Sequence, residues 1–305
     1  MNIVFIGGGH VFGYHSAQFK SVFKDAQCYV VEPNDAIAAL AYFPRISFEE
    51  AVEIADLAII MTPSNIRWEV CEPFVNKKTP LIIEKPLTIN WEEITKFERA
   101  AADSWICPIV NARVQRGVEE IVKSAKNPKQ IKVWKIRNIN RDYYKGWHGN
   151  FATDGGVLAQ QGFHCLDLAC WIGGNPISVK AVGKNDYHKI ECEDTAQVEI
   201  EFESGCHAIV NCTTASHGGG SAGLVVDGLE TSGLQFSDKG EAGHTIIAKR
   251  VKEALDNKMG PPITVESVIP SLRALHACYI SMDHNGESVI VGEKHYRLGS
   301  IIIQK

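Results

Sequence analysis

Residues 5–15 read FIGGGHVFGYH. The stretch follows a short apolar run and opens a segment of helical spacing, so it reads as the turn between a first strand and a first helix. Gly7 and Gly9 supply the tight turn and the close backbone approach that a pyrophosphate needs, and the N-terminus of the following helix stabilises its negative charge. His10 and Val11 complete the turn. The pattern departs from Gly-x-Gly-x-x-Gly at its last position, where Phe12 stands and Gly13 follows. A second apolar run, CYVVE, ends in Glu32, at about the separation of roughly 20 residues expected of a ribose-binding carboxylate. A carboxylate there accepts hydrogen bonds from the adenosine ribose hydroxyls and repels a 2′-phosphate. These residues predict a dinucleotide site that favours NAD over NADP. The alternative is an ordinary strand-to-helix turn with Glu32 as a solvated strand end.

Working outward, the first hundred residues alternate. Apolar runs at NIVFIG, CYVVE, LAIIMT, LIIEK and WICPIV are separated by segments of helical spacing such as GYHSAQFKSVFK, NDAIAALAY, SFEEAVEIA, NIRWEVCEPFV and NWEEITKFERAAA. Runs that are apolar throughout are buried on both faces, which predicts a parallel, helix-covered, doubly wound α/β sheet. After residue 115 the rhythm changes to a helix (GVEEIVKSAK), a strand (QIKVWKIRNIN), an aromatic and basic loop, a long helix over 157–172 and then mostly strands, with ESG and LETSG as turn candidates. The expectation is a Rossmann domain over 1–115 and an α+β domain over 116–305 built on a large, mostly antiparallel open sheet.

Composition sets the partners. With 45% apolar and 22% charged residues and a formal charge of −5, the chain of 305 residues has the make-up of a globular protein with room for two cores and no basic footprint for nucleic acid. Its nine cysteines are scattered through apolar runs without a CxxC pair, which fits reduced core thiols in a cytoplasmic protein. Alternation sends Cys206 and Cys212 to one strand face and His207 to the other, so no metal is expected there. The first residues carry no basic leader, and no run reaches the roughly 18 apolar residues of a spanning helix. Lys129, Lys132, Lys135 and Arg137 alternate through one strand and read as a solvated face.

The run LIIEKPLTIN, residues 81–90, poses the chemical question. A buried strand meets Glu84 and Lys85, and Pro86 ends it for want of an N–H. Unpaired charges are costly to bury, so such a pair sits where partners or a ligand compensate it.

The glycine turn, MTPSN (61–65), EKP (84–86) and GGVLAQQGFHCLDLACWIGG (155–174) together resemble the glucose-fructose oxidoreductase and inositol dehydrogenase family, Gfo/Idh/MocA. The resemblance spans nearly the whole chain. It implies an NAD-dependent sugar or polyol oxidoreductase, a homo-oligomer (dimer or tetramer) formed through the C-terminal sheet, and a cis peptide before Pro86. By the matching positions it implies cofactor contacts from Gly7, Gly9, His10, Val11, Phe12, Glu32, Thr62, Pro63, Asn65, Glu84 and Lys85. Lys85 and His164 would be catalytic, the ammonium stabilising charge on the reacting oxygen and the imidazole taking its proton.

Many members have Asp where Gln160 stands, and a neutral amide cannot be a base. QQGFH, NARVQRG (111–117), RDYYKGWHGNF (141–151) and the DGG before the helix resemble instead the subset that oxidises carbon 3 of UDP-N-acetylglucosamine or its uronate for surface polysaccharides. That resemblance names Arg113, Arg141, Tyr143, Tyr144, Gln160, Gln161 and His164 as substrate-binding residues, with Lys145 adding charge; packing is the other reading of the loop. Asp167 is either a partner in the His164 row or structural. Alternatives for function are the same chemistry on a free sugar or polyol, and a non-catalytic NAD-bound sensor.

Overall fold

The structure, a computed structural model, describes residues 1–231 and 243–292. The chain divides into two compact units. Among the described residues the first comprises 1–87, 96–111 and 243–266, and the second 88–95, 112–231 and 267–292.

The first unit is built on five parallel strands: β1 (Asn2–Ile6), β2 (Gln27–Val31), β3 (Leu57–Ile60), β4 (Leu81–Glu84) and β5 (Ile106–Ile109). Their order is β2-β1-β3-β4-β5, and every pairing is parallel. Each residue of β3, β4 and β5 is buried, as strands covered on both faces must be. Helices α1 (Phe12–Val22), α2 (Asp35–Ala38), α3 (Phe48–Ile54), α4 (Arg67–Asn76) and α5 (Trp91–Ala101) alternate with the strands. Local chemistry starts two of them: the side chain of Asn34 accepts from the N–H groups of Ala36 and Ile37, and that of Ser47 from Glu50. The doubly wound fold read from the alternation is the fold observed.

The second unit adds α6 (Arg116–Ser124), β6 (Gln130–Ile136), α7 (Val157–Gln160), α8 (Phe163–Gly173), β7 (Pro176–Lys184), β8 (Thr195–Phe202), β9 (His207–Thr213), β10 (Ser221–Val226) and β11 (Leu229–Thr231). After α9 (Gly243–Asp256), which belongs to the first unit and packs on α1, come α10 (Ile269–Asp283) and β12 (Val289–Ile290). The sheet order is β11-β10-β6-β9-β8-β7-β12, antiparallel throughout except for the β6–β9 pair. Ala196, Val198, Ile200 and Phe202 alternate along β8 onto the buried face, and α8 and α10 pack on the sheet.

Five expectations change. The long helix over 157–172 is two helices, α7 and α8, broken at Gln161 and Gly162. A Cβ on Gly162 would lie 2.6 Å from Cys212 Sγ, so only glycine lets the chain pass β9 there. The last third of the chain is not mostly strands, because α9 and α10 lie in it; HTIIAKRVKEALD has the helical spacing that marks the first. The hairpin after β10 turns at Asp227-Gly228, both at positive φ, and LET of the proposed LETSG turn is strand β11, while Ser232 and Gly233 lie outside the described residues. Lys135 is 3% exposed and shares the buried face of β6 with Ile131 and Val133, so the basic residues of that strand are not one solvated face; Lys129 and Lys132 are exposed and Arg137 is half-buried. Finally, 243–266 returns to the first unit, whereas the sequence reading assigned all residues after 115 to the second domain.

All nine cysteines are buried thiols. No helix among the described residues is long and apolar enough to cross a membrane. The apolar SIII near the end of the chain lies outside the described residues.

Candidate active site

The glycine turn lies at the carboxyl end of β1. Gly7 has φ +102°, and its N–H donates to the Val31 carbonyl at 2.9 Å. A Cβ there would be strained by φ and would press on the Met61 backbone at 3.3 Å. Around Gly9 a Cβ would meet nothing within 4 Å. His10 is exposed and Val11 half-buried. Phe12, in the place of the third glycine, is a core residue: its ring packs against Phe5 at 5.7 Å and Phe43 at 6.0 Å, so its side chain does not belong to the turn's open face. Glu32 is 8% exposed at the end of β2, where its two oxygens accept from Gly8 N–H at 2.7 Å and Asn34 N–H at 2.9 Å.

Beyond β3, Thr62 Oγ1 is buried and has no hydrogen-bond partner among the described residues. A buried hydroxyl without a partner is costly, and a bound ligand group would satisfy it. Pro63 and the exposed Asn65 follow, the latter in a short 3-10 turn, Ser64–Ile66. An open glycine turn, an unsatisfied threonine hydroxyl and a carboxylate at the end of β2 fit a dinucleotide, and all belong to the first unit.

Glu84 and Lys85 end β4, and the Lys85–Pro86 peptide is cis, as the resemblance implied. The charges expected to need compensation have it. Glu84 Oε1 lies 2.6 Å from His15 Nε2, and Oε2 accepts from Lys85 N–H at 2.9 Å. Burial raises the Glu84 carboxyl, but the hydrogen bond and charge of His15, the ammonium of Lys85 and the ring of His244 outweigh it and hold the carboxyl down at about 2. His15, Glu84 and His244 are residues of metal-ligand type within 4.8 Å of one another. The 2.6 Å His15–Glu84 contact is a hydrogen bond, and His244 Nε2 lies 4.0 Å from the same Glu84 oxygen. Lys85 itself is half-buried.

Arg67, in the first turn of α4, was not foreseen. It is 4% exposed and donates to the carbonyls of Glu84, at 2.8 Å, and of Pro86 and Thr62. One guanidinium thus ties the end of β3 to the Glu-Lys-Pro turn. An arginine two positions after MTPSN was the available signal.

In the second unit the structure gives Arg113 a different occupation from phosphate binding. Its Nε and Nη2 hold both oxygens of Asp167 at 2.7 and 2.6 Å, and it also donates to Ser267 Oγ and the Ser267 carbonyl. Asp167, fully buried, accepts from Ser271 Oγ at 2.9 Å, so of its two readings the contacts favour the structural one.

Gln160 and His164 lie on α7 and α8 and are 8% and 5% exposed. Tyr143, in the 3-10 turn Arg141–Tyr144, donates its hydroxyl to Gln160 Oε1 at 2.9 Å, and Gln160 Nε2 donates to Asp154. Burial, with Asp154 and Tyr144 nearby, pushes the Tyr143 phenol far up. Burial likewise raises Tyr144 to about 12, and its hydroxyl lies 2.7 Å from Thr214 Oγ1. Gln161 accepts from Arg137 at 3.4 Å. Arg141 is exposed; it donates to the Tyr187 carbonyl at 2.7 Å and lies 4.4 Å from the centre of the Tyr187 ring. Lys145 is also exposed and pairs with Asp142 at 2.6 Å. Two further residues of this neighbourhood, His148 and Asp154, were missed although both fall in stretches singled out from the sequence.

Residues 128–232 match the family model described as GFO/IDH/MocA C-terminal domain. The chain carries a Gfo/Idh/MocA C-terminal domain. The family resemblance read from the motifs therefore stands. Among solved structures, the WlbA dehydrogenase of Bordetella pertussis, determined with NADH and UDP-GlcNAcA, is 20% identical over 95% of this chain and 98% of its own, with a TM-score of 0.83. The Chromobacterium violaceum WlbA dehydrogenase, in complex with the same two ligands, is 22% identical over 95% of this chain and 96% of its own, TM-score 0.83. A myo-inositol dehydrogenase of Corynebacterium glutamicum is 16% identical over 96% of this chain and 99% of its own, TM-score 0.78. At these identities the likeness is one of fold. No curated protein sequence matches the chain.

Proposed function

We propose that this protein is an NAD(H)-dependent oxidoreductase acting on a secondary alcohol of a nucleotide-activated amino sugar. The observation that carries the reading is Lys85, in a turn whose backbone Arg67 and Glu84 hold, in the same unit as the open glycine turn and the unsatisfied Thr62 hydroxyl. Gly7, Gly9, Thr62 and Glu32 would hold the cofactor, with Glu32 meeting the ribose hydroxyls. NAD+, when bound, supplies the acceptor for hydride. Lys85 stabilises negative charge on the reacting oxygen, and the neighbouring Glu84 carboxylate balances the ammonium. His164 takes the hydroxyl proton, a task the Gln160 amide cannot perform. For the substrate, exposed Arg141 offers a guanidinium to phosphate oxygens, and the loop around it is rich in aromatic faces. The UDP-GlcNAcA bound by the two WlbA structures is a ligand of this class.

One observation favours a second reading, oxidation of a free sugar or polyol: Arg113 is committed to Asp167, which leaves one cation fewer for a diphosphate than the sequence suggested. Reduced-nicotinamide absorbance, followed with UDP-N-acetylglucosamine, its uronate and myo-inositol, separates the two. Oxidation of a UDP-sugar supports the first reading; turnover of the polyol alone moves the assignment to the second, and turnover of none sinks both. Replacing Lys85 with Met should lower kcat by roughly a hundredfold or more while NADH affinity changes little. Single-turnover oxidation at the native rate in that variant would remove Lys85 from the role.

A further inference from the structure

His148 lies in the loop 141–151, and its Nδ1 is 2.6 Å from Asp154 Oδ2. Asp154 is 5% exposed, and its carboxylate also accepts from Gly149 N–H at 3.1 Å and from the Gln160 amide. A buried carboxylate held by these donors, and by the Thr153 hydroxyl at 3.5 Å, cannot swing, so it fixes the imidazole that leans on it. Aromatic faces hold the ring as well: Tyr143 stacks on it at 4.2 Å and 12°, and Trp147 lies at 3.8 Å and 33°. Nδ1–H is committed to the carboxylate, so Nε2 accepts in the neutral ring and donates in the imidazolium. Nε2 has no protein hydrogen-bond partner among the described residues, and the side chain keeps 21% of its surface exposed.

An imidazole built this way offers solvent one nitrogen whose direction the fold has set. Its neighbours say what it is for. Trp147 presents an indole that is 45% exposed. Arg141, seven residues before His148, is exposed, and beyond its bond to the Tyr187 carbonyl its fork has no hydrogen-bond partner among the described residues. A fixed N–H donor, a cation and an open aromatic face in one loop are the groups that bind a phosphorylated planar ring: the phosphate oxygens accept from imidazole and guanidinium, and the ring stacks. Surface histidines without a purpose do not come with a buried carboxylate dedicated to their orientation.

We infer that His148, as the imidazolium with Nδ1–H on the Asp154 carboxylate, binds the diphosphate of a nucleotide-activated substrate through Nε2–H, with Asp154 as its positioning residue. The inference rests on the nucleotide-sugar reading above and deepens it, since it supplies the charge that Arg113 does not. It accounts for three neighbouring features: the buried Asp154, the outward imidazole and the uncovered indole.

Calorimetric titration of the full-length protein, with NADH present, by UDP and by uridine isolates the diphosphate. In His148→Ala, UDP affinity should fall about tenfold or more, as expected for loss of a charge-assisted hydrogen bond, while uridine binds as it does to the native protein. His148→Gln, which keeps a donor without the charge, should retain part of the affinity. Asp154→Asn should weaken UDP less than His148→Ala does, because it loosens the ring without removing it. In steady-state assays with the UDP-sugar, the His148→Ala defect should appear in KM far more than in kcat. Unchanged UDP affinity in a His148→Ala protein with native melting behaviour would overturn the inference, as would an equal loss for uridine. A native protein that oxidises a free polyol and binds no UDP brings down the nucleotide-sugar reading itself, an outcome distinct from a His148 variant that behaves as native.

Discussion

Arg113 and Arg141 entered with the same expected role, and the structure separates them. Arg141 is exposed, and among the described residues it makes one hydrogen bond, to the Tyr187 carbonyl, whereas Arg113 is 4% exposed with its fork on Asp167. A guanidinium that satisfies a fully buried carboxylate is a structural member of the core, because removing it leaves a charge with neither water nor partner. Arg113→Ala should therefore destabilise the protein by about 3–5 kcal/mol, read as a shift in the urea unfolding midpoint with an unchanged slope. A loss below about 1 kcal/mol, the worth of an exposed pair, would show that Asp167 finds other partners. The sequence could not tell the two arginines apart, since Asp167 lies 54 positions away from Arg113. Lys135 teaches the same lesson. Alternation divides β6 into two faces, but which of them α8 covers depends on a helix that arrives more than 20 residues later.

At the scale of elements, the entry to α7 shows why two glycines stand before it. Glu193 accepts from Leu158 N–H at 2.9 Å and from the Tyr279 hydroxyl at 3.1 Å, and a Cβ on Gly156 would land 2.0 Å from its carboxylate. Gly156 of the family motif is thus required by a buried glutamate from the segment before β8, and Gly155 by its φ of +72° and by Ala159, whose Cβ would lie 2.9 Å from an added one. Burial is the largest influence on Glu193 and raises its carboxyl from 4.5 to about 7, against hydrogen bonds that pull it down. The folded state holds this proton where the unfolded chain gives it up. The resulting stability is fully present below about 4.5 and is lost as pH rises through about 7. Between about pH 5 and pH 8 the group should cost on the order of 2–3 kcal/mol, and Glu193→Gln should melt higher than the native protein at about pH 8 and depend less on pH. Identical pH slopes for the two proteins would mean that Glu193 is ionised throughout.

For the molecule as a whole, α9 is the element that decides the division of the chain. It follows every strand of the second unit's sheet but β12 in sequence yet packs on α1 of the first unit, so the first unit is completed only after most of the second has been made. A core substitution in the five-stranded sheet should then loosen α9 together with that sheet. Ile59→Ala, a fully buried position whose truncation costs about 2–5 kcal/mol, should speed amide exchange in β1, β3 and α9 while α10 keeps its protection. Faster exchange in α10 but not in α9 would contradict the assignment. What the sequence determined by itself was whatever neighbours along the chain decide. The β/α rhythm of the first hundred residues, the glycine turn, the Glu-Lys-Pro end of β4 and the alternation of β8 and β9 rest on apolar periodicity and local turn chemistry, and those act over a few residues. What only the tertiary structure decided was the pairing of groups far apart in the chain: Arg113 with Asp167, His15 with Glu84, Glu193 with the entry to α7, α9 with α1. Such pairings form because a buried charge or an apolar face must find a partner, and the partner is whatever the completed fold brings within reach.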